Sequence, residues 1–331
     1  MIAVEEERVS SLQSPGRSCP LHYRYRPEDF AVEAPYDQQD LEVLYVVGGI
    51  YGNELALARV LELFEAERGR KRLVFNGDFH WVDADPASFS RVQSEVLAHG
   101  ATRGNVETEL ATADEGGDTG CGCAYPDWVG DGVVERSNRI LGRLRLATNA
   151  SQRAEMSVLP MWLRADVGTL RLAIVHGDAT SLAGWGFAQE HLRDAGHRAE
   201  VARWLDRAEV DACACTHTCL PVFQAVQAPS GRLPRWILNN GAAGMPNFRG
   251  DTAGLLTRIA VEPFAGSEMR FGVATGRGVM AEAIAIDIDA HAWRAGFEAQ
   301  WPAGSDAYQS YFDRIVQGPA YDPADAVRQL E

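Results

Sequence analysis

Positive charge is scarce in this sequence: 31 Lys and Arg stand against 46 Asp and Glu, a formal net charge of −15. That deficit excludes the basic face that nucleic acid or an anionic membrane surface requires. Long hydrophobic runs are also missing, and nothing approaches the ~20 apolar residues of a membrane span. The first ten residues, MIAVEEERVS, are acidic where an export signal is basic, and no apolar core follows. Cysteine is sparse and clustered: Cys19, then CGC (121–123) and CACTHTC (213–219), not the spread of a disulfide framework. Reduced thiols and a cytoplasmic protein are expected. No internal repeat is visible, and no bias of a disordered or fibrous chain. What is present, 331 residues at 46 % hydrophobic, suffices for one large domain or two small ones.

Residues 1–40 read as a polar N-terminal extension. From Leu41 to about 290 the pattern is α/β. LEVLYVV is an apolar strand of buried type. The stretch after it places Leu57, Val60, Leu61 and Phe64 on one helical face. KRLVFNGD is a second strand, and Pro86 opens a second helix. The Gly- and Asp-rich segment 111–133 reads as a long loop or lid. RSNRILGRLRLAT is helical, and MWLRADVGTLRLAIVHGD is a hairpin turning at Gly168 with its second strand ending at His176. Residues 187–208 read as helix, followed by strands in VDACACTH, LPVFQAV, RWILN and 271–289. Residues 291–331 read as a helical tail packed on the domain. Alternating βα units followed by a β-rich half imply one body of layered sheets and outer helices.

Polar clusters punctuate the strand ends: NGD (76–78), RGNVE (103–107), VHGD (175–178) and CTHTC (215–219). Strand ends on one sheet edge converge, so these clusters can share a site. Asp, Asn and two His suit a divalent ion such as Mn²⁺, Fe²⁺ or Zn²⁺. The motif order resembles that of the calcineurin-like metallophosphoesterases, and within them the bacterial branch with an IHGN-type first motif. That family runs Asp-x-His, Gly-Asp, Gly-Asn-His-Asp/Glu, a lone His, then Gly-His-x-His. Here the order is Gly49-Ile50-Tyr51, Gly77-Asp78, Gly104-Asn105-Val106-Glu107, His176 and Thr216-His217-Thr218-Cys219. NNGAAGMPNFRGD (239–251) resembles the loop after the family's last His motif.

The resemblance implies a metallophosphatase-type β-sandwich of two mixed sheets flanked by helices. It implies a metal set of Asp78, Asn105, His176 and His217, with Asp78, His176 and His217 acting catalytically through the ion. The other metal position of the family falls on Gly49, Tyr51 and Cys219, none of which supplies the family's ligand. One divalent ion per chain is therefore expected. The family's leaving-group histidine is Val106 here. Arg103 and Arg249 are the arginines expected on a phosphate oxygen, and Asp178 is expected to orient a ligand.

Cys213 and Cys215 read as core residues. If Cys213, Cys215, His217 and Cys219 alternate along one strand, Cys213 and Cys219 lie roughly 20 Å apart and cannot share an ion. Cys219, His80 and the pair Cys121/Cys123 remain open as ligands that rebuild a second ion position. His22, His99, His191, His197 and His291 lie outside every motif. GGIYGN lacks the Lys-Ser/Thr of a P-loop and the glycine spacing of a dinucleotide turn. Two functions follow: a divergent phosphoesterase with a mononuclear site acting on a small phosphorylated molecule, or a non-catalytic protein of this fold that binds a metal or phosphorylated ligand.

Overall fold

The computed structural model describes residues 15–17, 19–31, 38–112, 120–228 and 232–330. The strands among them are β1 (Gln38–Leu41), β2 (Val43–Val47), β3 (Lys71–Asn76), β4 (Gly100–Thr102), β5 (Trp162–Val167), β6 (Leu170–Val175) and β7 (Ala212–Cys215). They continue with β8 (Val222–Val226), β9 (Arg235–Asn239), β10 (Gly254–Ala260), β11 (Met269–Ala274), β12 (Met280–Ile286) and β13 (Val327–Arg328). The helices are α1 (Glu54–Ala66), α2 (Pro86–Leu97), α3 (Asn105–Ala111), α4 (Asp131–Ala147), α5 (Ala150–Ser157), α6 (Ala195–Arg207), α7 (Ala290–Gln300) and α8 (Asp306–Gln317). None of them is long and apolar enough to cross a membrane.

Two mixed sheets result, one ordered β1-β5-β6-β7-β9-β8-β13 and the other β11-β12-β10-β2-β3-β4. Alternation along each strand divides the side chains between the sandwich interior and an outer layer. On β7, Ala212 and Ala214 face the inter-sheet core with Leu44, Val46, Ile174 and Leu238. Cys213 and Cys215 face outward, packed with Val201 and Leu205 of α6. On the other sheet, Tyr45 and Phe75 pack beneath Val60 and Phe64 of α1 and Val92 of α2. Asn53 caps α1 by accepting from Ala56 N, and Asp85 caps α2 by accepting from Ala87 N and Ser88 N.

Several sequence readings change in detail. GLLTRIA is a full strand, β10, paired antiparallel to both β2 and β12. The run 271–289 holds most of β11 and all of β12, paired antiparallel. The helix read at 187–208 begins only at Ala195, after Asp194 caps it and a 3-10 turn at His191–Arg193 precedes it. The N-terminal extension contributes β1, parallel to β5, and buries Tyr23 and Phe30 in the outer core. The C-terminal tail adds a strand, β13, beside β8. Of the segment read as a lid, 113–119 lies outside the described residues. In its remainder Cys121 is fully buried, Trp128 is exposed, and Asp131 already belongs to α4.

Candidate metal centre

The parallel order of β2, β3 and β4 carries their carboxyl ends to one edge. β6, β7 and β9 do the same in the facing sheet. The two edges are stitched together: Asn76 Nδ2 donates to Val175 O at 2.7 Å and Ala243 N to Gly48 O at 2.9 Å, while Gly49 N donates to Gly77 O at 3.1 Å within one edge. His176 O accepts from both Thr216 N and His217 N, which ties the two histidine-bearing ends together. The loops after β3 and β4 approach so closely that a methyl at Gly104 would start 2.3 Å from Asp78 Oδ1. Only glycine fits there.

At the centre stands His176 Nε2. Asn105 Oδ1 and His217 Nδ1 each lie 3.2 Å from it, and Asp78 Oδ2 lies 3.4 Å away. Each of these atoms offers a lone pair because its partner atom is engaged elsewhere. His176 Nδ1 donates to Asn76 O at 2.9 Å, and His217 Nε2 donates to Cys123 O at 3.1 Å. Asn105 Nδ2 donates to Cys121 O at 2.8 Å, and Asp78 Oδ1 accepts from Val106 N at 3.2 Å. Four acceptors therefore face one point with no donor among them. Such a cluster demands a cation, either a proton or a metal. Atoms bound ~2.0–2.2 Å from one ion stand roughly 3–3.5 Å from each other, so the 3.2–3.4 Å separations from His176 Nε2 suit a metal. Asp78, His176 and His217 form the one group of three or more potential acid, thiol or imidazole ligands found among the described residues.

Burial and charge tune these groups against each other. Burial opposes the charged form of His176, but the neighbouring Asp78 carboxylate overcomes it and raises the histidine's pKa. Burial likewise pushes Asp78 up, and His176 and His217 more than reverse that. His217 is pushed down to about 4, first by burial and then by the charge on His176. Beneath them Glu107 accepts from Asp78 N (2.8 Å), Phe79 N (3.0 Å) and Gly104 N (2.8 Å), and burial followed by Asp78 pushes it up to about 7. Asp78 itself holds a positive φ of 53°, a conformation costing on the order of 1–3 kcal/mol and kept by this bonding.

Gly49, Tyr51 and Cys219 also meet, beside the cluster. A side chain at Gly49 would start 3.0 Å from the Tyr51 ring, and Tyr51 Oη lies 2.9 Å from Cys219 Sγ. Arg314 on α8 donates to Cys219 O and to Pro246 O, each at 2.8 Å, and Tyr311 Oη accepts from Trp81 Nε1. Burial, then Cys219 and Asp78, holds the Tyr51 phenol well above its usual pKa, so it is neutral. Val106, Cys121, Ala307 and Ile315 complete an apolar cluster around this ring.

Other expectations are corrected. β7 ends at Cys215, and the chain turns so that Cys219 (φ 60°) folds back on Tyr51 instead of continuing the strand. His80 points away from the cluster: it is fully buried, stacks on Phe89 and pairs with Asp83 at 3.3 Å. It therefore joins neither Cys219 nor the cysteines of 121–123 in a second ligand group. Asp178 holds its own loop, accepting from Thr180 N, Ser181 N and Gly186 N. Arg249 is paired with Asp322 at 3.4 Å, and Arg103 donates to Ser157 O at 3.3 Å. Arg314, which sequence reasoning did not single out, donates to the Cys219 carbonyl beside the cluster. Its only signal is a basic residue in the last turn of an amphipathic helix.

No protein-family model and no curated protein matches the chain. Solved structures do. A hypothetical protein from Pyrococcus horikoshii matches with a TM-score of 0.56 at 13 % identity, covering 84 % of this chain and 99 % of that one. A metallophosphoesterase from Sphaerobacter thermophilus matches at 0.49 and 16 %, over 84 % and 100 % of the two chains. A protein serine/threonine phosphatase from Saccharomyces cerevisiae matches at 0.40 and 14 %, over 78 % and 86 %. At such identities the likeness is one of fold.

Proposed function

We propose that this chain is a divergent metal-dependent phosphoesterase. It holds one divalent ion (Mn, Fe or Zn) on Asp78, Asn105, His176 and His217, and acts on a small phosphorylated molecule. The observation that carries this reading is the set of four lone pairs around one point, with the other polar atom of each side chain tied to backbone. A divalent ion bound there supplies a Lewis acid for a phosphoryl oxygen and lowers the pKa of a bound water. Asn76 O and Cys123 O fix the imidazole orientations. Glu107 holds the Asp78 loop, and Val106 offers no proton to a departing alkoxide. An ester whose leaving group needs no protonation, such as an aryl phosphodiester, is therefore the better substrate.

One observation favours a second reading, a binding protein without turnover. Asp78 and His217 are each only 7 % exposed, and the Tyr51–Cys219 side is closed by α8. Metal analysis with a turnover assay separates the two. About one ion per chain together with hydrolysis of bis(p-nitrophenyl) phosphate, lost in His176→Ala and His217→Ala, supports the enzyme. One ion without turnover supports the binding protein, and a chain that takes up no ion refutes the enzyme and the metal-binding form of the second reading.

A further inference from the structure

We infer that Cys121 and Cys123 act on the metal centre through their backbone carbonyls, so that the turn 120–124 is a positioning element for Asn105 and His217. The inference rests on the metal reading above. An asparagine presents oxygen or nitrogen, and a neutral imidazole either ring nitrogen, until something binds the other end. Cys121 O binds Asn105 Nδ2 at 2.8 Å and so turns Oδ1 toward His176. Cys123 O binds His217 Nε2 at 3.1 Å and so turns Nδ1 the same way. Two of the four ligand atoms are thus selected by one five-residue turn.

The turn is itself held from three sides. Cys121 N donates to Asn138 Oδ1 of α4 at 2.9 Å, and Trp185 Nε1 donates to Cys123 O at 2.9 Å. Gly122 has φ 64°, and a methyl there would start 2.2 Å from Tyr23 Oη, so the turn closes against Tyr23 only as glycine. The Cys123 thiol is badly placed for ligation. It meets Asn105 at Nδ2, 3.5 Å away, the end turned from the cluster. The CGC motif, which reads in sequence as thiol chemistry, serves here as a pair of oriented carbonyls.

Calorimetric titration of the metal-free full chain with Zn²⁺ or Mn²⁺ tests this. Gly122→Ala is expected to weaken binding roughly 10- to 100-fold, as loss of outer partners does. The double variant Cys121→Ser/Cys123→Ser keeps both carbonyls and is expected to bind at least about tenfold tighter than Gly122→Ala. The reverse order overturns the inference. Should Gly122→Ala not fold, ¹⁵N NMR of the metal-free wild-type chain decides. A His217 ring protonated at Nε2 and bare at Nδ1 is expected, and the opposite tautomer overturns the inference. That measurement needs no ion, so a chain that binds no metal refutes the function proposed above while the role of the turn is still judged separately.

Discussion

Around His176 Nε2, three lone-pair atoms stand 3.2–3.4 Å away with no donor among them. Around Tyr51, a few residues along the same strand-end edge, the polar atoms answer each other. The phenol meets Cys219 Sγ, that thiol donates to His217 O at 3.2 Å, and Arg314 covers the Cys219 carbonyl. The first half is incomplete without a cation, whereas the second is complete as it stands. On the Tyr51 side an aromatic ring fills the volume and hydrogen bonds satisfy the rim. Tyr51 Oη, Cys219 Sγ and the Cys219 carbonyl each have a partner, which avoids the roughly 1–3 kcal/mol cost of an unpaired buried group.

The largest expected effect is His176→Ala, which removes the central nitrogen. Metal content by elemental analysis should fall from about one ion per chain to nearly none, a greater loss than the roughly 100-fold of an outer-partner variant. Retained metal would break the contrast between the halves. Next is the combined variant Gly49→Asp, Tyr51→His, Cys219→His. These positions have φ of 68°, 56° and 60°, a region Asp and His enter more readily than most residues. A rise toward about two ions, with diesterase activity appearing or increasing, is expected. No gain would mean the second half is not a lapsed metal position.

Gly104→Ala comes third. Its methyl meets Asp78 Oδ1 and His176 Cε1, at 2.3 and 2.9 Å. Stability in urea should drop by about 1–3 kcal/mol, with metal affinity falling alongside. Tyr51→Phe is the smallest. It removes one hydrogen bond from the closed half, so a loss of about 0.5–1.5 kcal/mol with metal content unchanged is expected. A lost ion in that variant would show that the halves are coupled.

Much of this was legible because it is local. Strand β2 and the helix α1 after it follow from apolar period, and Gly77-Asp78 and Gly104-Asn105 announce themselves as glycine-polar strand ends. Cys219 was misread because CACTHTC continues an alternating pattern that the chain abandons after Cys215; nothing in the pattern records the turn. His80 reads as a possible ligand beside Asp78, yet the left-handed backbone at Asp78 sends it the other way, against Phe89. β10 goes unassigned in the sequence, because a short apolar run beside glycines carries no period of its own.

The order of amino acids by itself determined the alternation of strands and helices, the places where strands break into glycine turns, and the identities of Asp78, Asn105, His176 and His217 as polar residues at those breaks. Only the tertiary structure decided that Asp78, Asn105 and His217 gather around His176 Nε2, that Tyr51 and Cys219 close on each other, and that Cys121 O and Cys123 O bind Asn105 Nδ2 and His217 Nε2. The reason is range. Periodicity and turn chemistry act over a few residues, whereas the aim of a side chain depends on strand register and on partners about a hundred residues away, as with Asn76 and His176.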